Sequence, residues 1–218
     1  LSLHDALPIS KKIPKPMILV NGLPIIEHIM NHFYNYGFNE FIIAAGYKGN
    51  LIKKYFKSKK FKNWKIQVVD TGLNVMTGGR LKKLKSFLDK DDNFFLTYGD
   101  GVSNINLSKL KKFHLKNKKI LTISAVRPPA RFGYIKLKSN RVVLFREKSS
   151  LDQGWINGGF MVMNSKIFQF LKNNQTYLER DPFEILSKKK QLYAYKHSGF
   201  WQCMDTLRDK EILEKSIK

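Results

Sequence analysis

The stretch "NFFLTYGDG", Asn93 to Gly101, decides how the chain is read. An apolar run of strand length delivers Asp100 to its carboxyl end, between Gly99 and Gly101. Glycines at that point let a ligand approach the backbone closely. A carboxylate there suits Mg²⁺, which is usually held by one or two carboxylates together with substrate phosphates. An aspartate in a tight turn, bonding nearby backbone amides, explains the pentapeptide equally well.

Working outward, helix-like and strand-like segments alternate along the whole chain. "PIIEHIMNHFYNYG" places Ile26, Ile29, Met30 and Phe33 at helical spacing and stops at Gly37. "EFIIAAGY" is a short apolar run of buried-strand type, "NLIKKYFK" a basic amphipathic turn or two, and "KIQVVDTG" a strand leading into a loop. "GGRLKKLKSFL" and "LSKLKKFHLKN" read as helices and "ILTISAVRP" as a strand. From Tyr134 to Lys148 the period changes to two, predicting a hairpin that turns at Ser139-Asn140. Such alternation implies an α/β fold with a largely parallel sheet, whose ligands gather at the carboxyl ends of strands. There is no internal repeat and no low-complexity linker, so one domain is expected.

Composition narrows the class further. The 218 residues are 43% hydrophobic and 13% aromatic, enough for a substantial core. No run approaches the roughly 18 apolar residues of a membrane span. The single cysteine, Cys203, excludes an internal disulfide; a reducing cytosol is the natural compartment, with Cys203 a small packed hydrophobe. The formal charge of +23 invites a nucleic-acid reading. The lysines are nevertheless spread from Lys11 to Lys218 among abundant Asn, Ile, Phe and Tyr, a mixture that AT-rich codon usage produces without a partner. No recognised nucleic-acid motif accompanies the charge.

Four more stretches are richer in glycine and polar residues than a core requires. "TGGRL", Thr77 to Leu81, opens a helix with consecutive glycines whose N–H groups would face an anion or a base edge, with Arg80 able to reach a phosphate. A glycine-rich loop with a solvated arginine is the plainer account. "FREK" sets Glu147 beside Lys148, which a surface ion pair also explains. "WINGGF" offers Asn157 and the space left by Gly158 and Gly159 to a hydroxyl-rich ligand, or is a bulged strand. In "WQCMDTLRDKEIL" Asp205 precedes the last helix, as an N-cap or as a second metal carboxylate. His28, His32, His114 and His197 show no metal-ligand spacing.

Taken in order, "PKPM", "GYKG", "VDTG", "MTGGRLKK", "TYGDGV", "RFG", "EK", "WINGGF", "GFWQ" and "MDTLRDK" resemble the glucose-1-phosphate cytidylyltransferases, members of the sugar-nucleotidyltransferases. The resemblance runs from about Lys12 to the end. It implies a Rossmann-like α/β fold, a mixed and mostly parallel sheet flanked by helices, with a small β-hairpin extension. It implies transfer of CMP from CTP to α-D-glucose 1-phosphate for surface polysaccharide synthesis. By family position Asp100 and Asp205 hold Mg²⁺ and Lys15 contacts the nucleotide phosphates. Thr77, Gly79, Arg80 and Gly99 lie along the nucleotide. Lys148 takes the sugar phosphate, and Glu147, Asn157 and Gly158 take glucose hydroxyls. The expected partners are these two substrates, with no nucleic acid and no membrane, and the intact protein is expected to be a homo-oligomer.

The resemblance also has departures. The family opens with a strand and a GGxGTR loop just upstream of "PKPM", where this chain has "LSLHDALPIS". Residues 1–10 are therefore expected to be foreign, with the nucleotidyltransferase domain in 11–218 lacking its first strand and glycine-rich loop, and turnover impaired. Uridylyl or thymidylyl transfer, or sugar-phosphate binding without turnover, are the alternatives.

Overall fold

The computed structural model describes residues 13–59, 61–88, 92–129, 134–147 and 154–217; segment 1–10, "RFG" and Lys148 lie outside them. After a 3₁₀ turn at Lys15–Met17, β1 (Leu19–Val20) and β2 (Leu23–Pro24) form a tight ribbon. Its turn residues Asn21 and Gly22 both have positive φ, where a β-branched residue would be strained. Helix α1 (Ile25–Tyr34) buries Ile25, Ile26, Ile29, Met30 and Phe33, the stripe its spacing predicts. Strand β3 (Glu40–Ala45) runs parallel to β4 (Lys65–Asp70), with α2 (Gly49–Ser58) as the crossover. The expectation that β3 is fully buried does not hold, because only Ala45 is. Among the described residues β3 ladders with β4 alone, so its side chains keep partial access to water.

Helices α3 (Thr77–Lys83) and α4 (Lys85–Leu88) lead into β5 (Asn93–Thr97), and the Tyr98–Asp100 turn leads into β6 (Gly101–Ser103). Asn106 caps α5 (Leu107–Asn117) by accepting from Lys109 N–H, and β7 (Leu121–Val126) follows. Strands β8 (Tyr134–Lys138) and β9 (Arg141–Arg146) make the predicted hairpin across Ser139-Asn140. Then come β10 (Ile156–Asn164), α6 (Asp181–Lys188), β11 (Leu192–Lys196), β12 (Trp201–Cys203) and α7 (Leu207–Ser216).

The sheet is mixed. Its order is β11-β7-β10-β5, with β11 parallel to β7 and β10 antiparallel to both neighbours. The reversal follows from connectivity: β10 is reached from β7 through the hairpin, without the crossover helix a parallel strand needs. Strand β10 is also the spine of the core. Phe160 and Val162 enter one apolar cluster with Ile18, Ile29, Phe33, Leu110 and Leu213. Met161 and Met163 point the other way, into a second with Leu81, Leu121, Leu178 and Leu186. Period-two alternation thus buries both faces of one strand.

Candidate active site

Register explains which residues meet. Phe160 pairs with Thr97 and Ile156 with Val126, so the start of β10 lies beside the carboxyl ends of β5 and β7. Asn157 and Gly158 therefore arrive where Tyr98, Gly99 and Asp100 leave the sheet. A bulge makes the approach: the β10–β7 register shifts between Asn157 and Met161, and Gly159 there has φ 79°. A Cβ on Gly158 would stand 2.7 Å from Ser124 Oγ, and one on Gly159 2.8 Å from the Tyr98 ring. The bulge reading and the site reading of "WINGGF" are one feature.

Asp100, Asp205 and Lys15 come together although 190 residues separate the last two. Lys15 Nζ donates to Asp100 Oδ2 at 2.8 Å and to Asp205 Oδ1 at 2.6 Å. Burial works against the Lys15 charge, but hydrogen bonds and charge from both carboxylates outweigh it, and its pKa is raised. Asp205 is not the cap of α7. Thr206 is, accepting from Asp209 N–H while the Asp209 carboxylate accepts from Thr206 N–H, a capping box. The box occupies Asp209 and turns the Asp205 carboxylate toward Lys15.

Cys203, expected to be a packed hydrophobe, donates its S–H to Asp205 Oδ2 at 3.2 Å. Burial, then that bond and the surrounding aspartates, push its thiol up to about 12. Trp201 Nε1 donates to Gly158 O at 2.7 Å, tying β12 to the bulge. A Cβ on Gly99 would sit 2.9 Å from Pro16, which sets the carboxylate turn against the Lys15 turn.

The glycines of "TGGRL" do not present their N–H groups to a ligand. Gly78 and Gly79 N–H both donate to Thr176 O, at 2.9 and 3.1 Å, and Met76 N–H donates to Asn174 O at 2.8 Å. Their smallness is used for close approach, since a Cβ on Gly79 would fall 2.4 Å from Asn174 O. Arg80, expected to lie along the nucleotide, is laid across the ends of β3 and β4. It donates to Thr71 Oγ1 at 2.5 Å, Ala45 O at 3.2 Å and Leu73 O at 3.4 Å. These partners are neutral oxygens rather than carboxylates.

Glu179 is a residue that the sequence reading missed. Its carboxylate accepts from Thr77 Oγ1 at 2.6 Å and from the Tyr98 hydroxyl at 2.5 Å, joining "TGGRL" to "TYGDG". Thr77 Oγ1 also accepts from Leu178 N–H. Burial, then the bond and charge of Glu179, raise the Tyr98 hydroxyl, while a hydrogen bond from Asn157 opposes them. No local motif marks Glu179, because its partners lie about a hundred residues upstream in Thr77 and about eighty in Tyr98. Glu147 stands exposed just past β9, and its neighbour Lys148 is outside the described residues.

Two carboxylates that can touch one ammonium can touch one divalent cation. Among the described residues no group of three or more His, Cys, Asp and Glu is placed to hold a metal. The histidines are engaged elsewhere, His28 with Val20 O, His32 with Ile105 O and His114 with Thr122 and Asn93. No described helix is long and apolar enough to cross a membrane.

Comparison with known proteins identifies the family. Residues 6–208 match the family model for nucleotidyl transferases. Glucose-1-phosphate cytidylyltransferase of Salmonella typhimurium is 39% identical over 92% of this chain and 86% of that protein. The probable glucose-1-phosphate cytidylyltransferase of Bacillus subtilis is 36% identical over 92% of this chain and 87% of its own. HddC from Yersinia pseudotuberculosis superposes with a TM-score of 0.73 at 22% identity, covering 94% of this chain and 91% of that one. UDP-glucose pyrophosphorylase complexed with UDP-glucose gives 0.70 at 17% identity, covering 96% and 92%. These two structures bear on the fold alone. With its fold and its sequence in agreement, the chain belongs to the nucleotidyl transferase family, alongside the glucose-1-phosphate cytidylyltransferases.

Proposed function

We propose that the protein transfers CMP from CTP to α-D-glucose 1-phosphate, giving CDP-glucose and pyrophosphate. The observation that carries it is the Lys15–Asp100–Asp205 cluster at the carboxyl end of β5, in a chain 39% identical to a glucose-1-phosphate cytidylyltransferase. A phosphate oxygen of the sugar phosphate attacks the α-phosphorus; the new P–O bond forms as the bond to the β-phosphate oxygen breaks and pyrophosphate leaves. The nucleophile is already ionised, so positioning and charge neutralisation supply the catalysis.

Asp100 and Asp205 are the residues that would hold Mg²⁺, which when bound neutralises phosphate charge. Lys15 supplies a further positive charge to the triphosphate, and Arg80 a second at the nucleotide side. Asn157, placed by the β10 bulge, offers a donor and an acceptor to glucose hydroxyls, with Glu147 and Lys148 completing the sugar-phosphate side. Tyr98, Glu179 and Thr77 brace the wall between the two halves. Such substrates suit a cytoplasmic enzyme of surface polysaccharide synthesis. A homo-oligomer is supported by the hairpin, where Ile135, Leu137, Val142 and Phe145 are 49%, 54%, 52% and 62% exposed.

The test is pyrophosphate release with glucose 1-phosphate, Mg²⁺ and each of CTP, UTP and dTTP. Asp100→Asn and Asp205→Asn should each lower the rate by about 10²-fold or more while melting like the parent. Faster release with UTP or dTTP would change the base, and release with none would reject the reading.

A further inference from the structure

Lys15 occupies the place that the proposed function gives to a metal ion. One ammonium contacts both carboxylates, at 2.8 and 2.6 Å, so the two oxygens lie no farther apart than those contacts laid end to end. We propose that Lys15 is a resident stand-in cation: without nucleotide it holds Asp100 and Asp205 against a divalent ion, so metal and triphosphate enter together. This rests on the nucleotidyl-transfer reading of the site.

The main chain around the cluster is pinned, whereas the Lys15 side chain is tied to it through its ammonium. Lys15 sits in a 3₁₀ turn between Pro14 and Pro16, with Met17 N–H donating to Pro14 O at 2.8 Å. Pro16 packs against Gly99, one residue before Asp100. Asp100 O accepts from Met204 N–H at 2.9 Å, and Asp205 N–H donates to Asp209 Oδ2 at 3.1 Å. The second Asp205 oxygen is braced by Cys203. Against this frame the long Lys15 stem is the part that can turn.

Charge decides the order of events. Two carboxylates and one ammonium leave a net charge of −1, so a divalent ion arriving beside Lys15 meets a cation at contact distance. It must displace Lys15, which then loses both hydrogen bonds. A triphosphate changes the balance, because its oxygens give Lys15 a new partner while the carboxylates take the metal. Nucleotide and metal must then raise each other's affinity by the same factor.

Mn²⁺ binding without catalysis tests this, read by the electron paramagnetic resonance of free Mn²⁺. The proteins are the parent, Lys15→Met, Lys15→Ala and the Lys15→Met/Asp100→Asn double variant, each checked by its melt. Without nucleotide, both Lys15 variants should bind Mn²⁺ at least tenfold more tightly than the parent, and the double variant should lose that gain. Adding CTP should tighten Mn²⁺ binding in the parent more than in the Lys15 variants. Equal nucleotide-free affinity in the parent and both Lys15 variants, still lost in the double variant, would overturn the stand-in role while leaving the carboxylates as metal ligands. Absence of Mn²⁺ binding in every protein, with and without CTP, would overturn the metal assignment itself.

Discussion

Replacing Gly79 by Ala sets two effects of opposite sign against each other. Gly79 lies within α3, where Ala is favoured over Gly by about 1 kcal/mol on helix propensity. Packing opposes the change. The new Cβ would lie 2.4 Å from Asn174 O and 2.7 Å from its C and Cα, all main-chain atoms, where ordinary contact begins at 3.4 Å. The helix start and the 173–176 segment must separate by about 1 Å, which breaks bonds that now stand at 2.8, 2.9 and 3.1 Å. Three such bonds at about 1 kcal/mol each outweigh the propensity gain, for a net loss of about 2 kcal/mol. In a chain of this size that lowers the midpoint by roughly 4–8 °C. Urea unfolding with an unchanged slope would measure it. A Gly79→Ala protein as stable as its parent would refute the reasoning.

Three further outcomes are expected. Thr206→Ala should cost about 1 kcal/mol in denaturant unfolding through loss of the capping box, whereas Asp205→Asn should leave stability nearly unchanged. Glu179→Ala should destabilise by roughly 1–2 kcal/mol, because the Tyr98 and Thr77 hydroxyls lose a charged acceptor; an unchanged melt would show that the bridge contributes nothing. Burial lowers the pKa of His114 below 6.5, so above that pH both folded and unfolded states are neutral and its contribution is fully present. As pH falls below 6.5 the unfolded chain takes up a proton that the folded one refuses, and stability declines until the folded pKa is reached. His32 acts in the same direction, so His114→Gln should flatten but not abolish the decline of stability as pH falls below 6.5.

Local pattern carried most of the secondary structure, because helical and strand periods are written within ten residues. The stripe of α1, the hairpin turn and the strand ending at Thr97 are all legible that way. Asp205 shows the limit. The residue before a helix is a fair cap on sequence grounds, but the box formed by Thr206 and Asp209 moves the cap by one position and leaves the Asp205 carboxylate to Lys15 and Cys203. "TGGRL" was ambiguous for a different reason. Adjacent glycines look alike whether they admit a ligand or another stretch of chain, and the partner, Asn174–Thr176, is remote in sequence. Glu179 was invisible because an exposed glutamate acquires meaning only from the hydroxyls folded onto it.

One topological step does more than any single motif to assemble the site. Had β10 run parallel to β5 and β7, Asn157 and Gly158 would lie at the opposite edge of the sheet from Asp100. The hairpin between β7 and β10 reverses the strand, so the start of β10 meets the end of β5, as Phe160 opposite Thr97 records. The bulge at Gly158–Gly159 then turns Asn157 toward Tyr98, and Trp201 closes the bulge from the β12 side. The same hairpin ends just before Glu147, the other residue that the proposed function gives to the sugar. Shifting that register by one residue would move Asn157 to the other face of the sheet while leaving Lys15, Asp100 and Asp205 in place. The Lys15–Asp100–Asp205 cluster and the position of Asn157 therefore depend on separate structural decisions, the first on the turns around β5 and α7 and the second on β10.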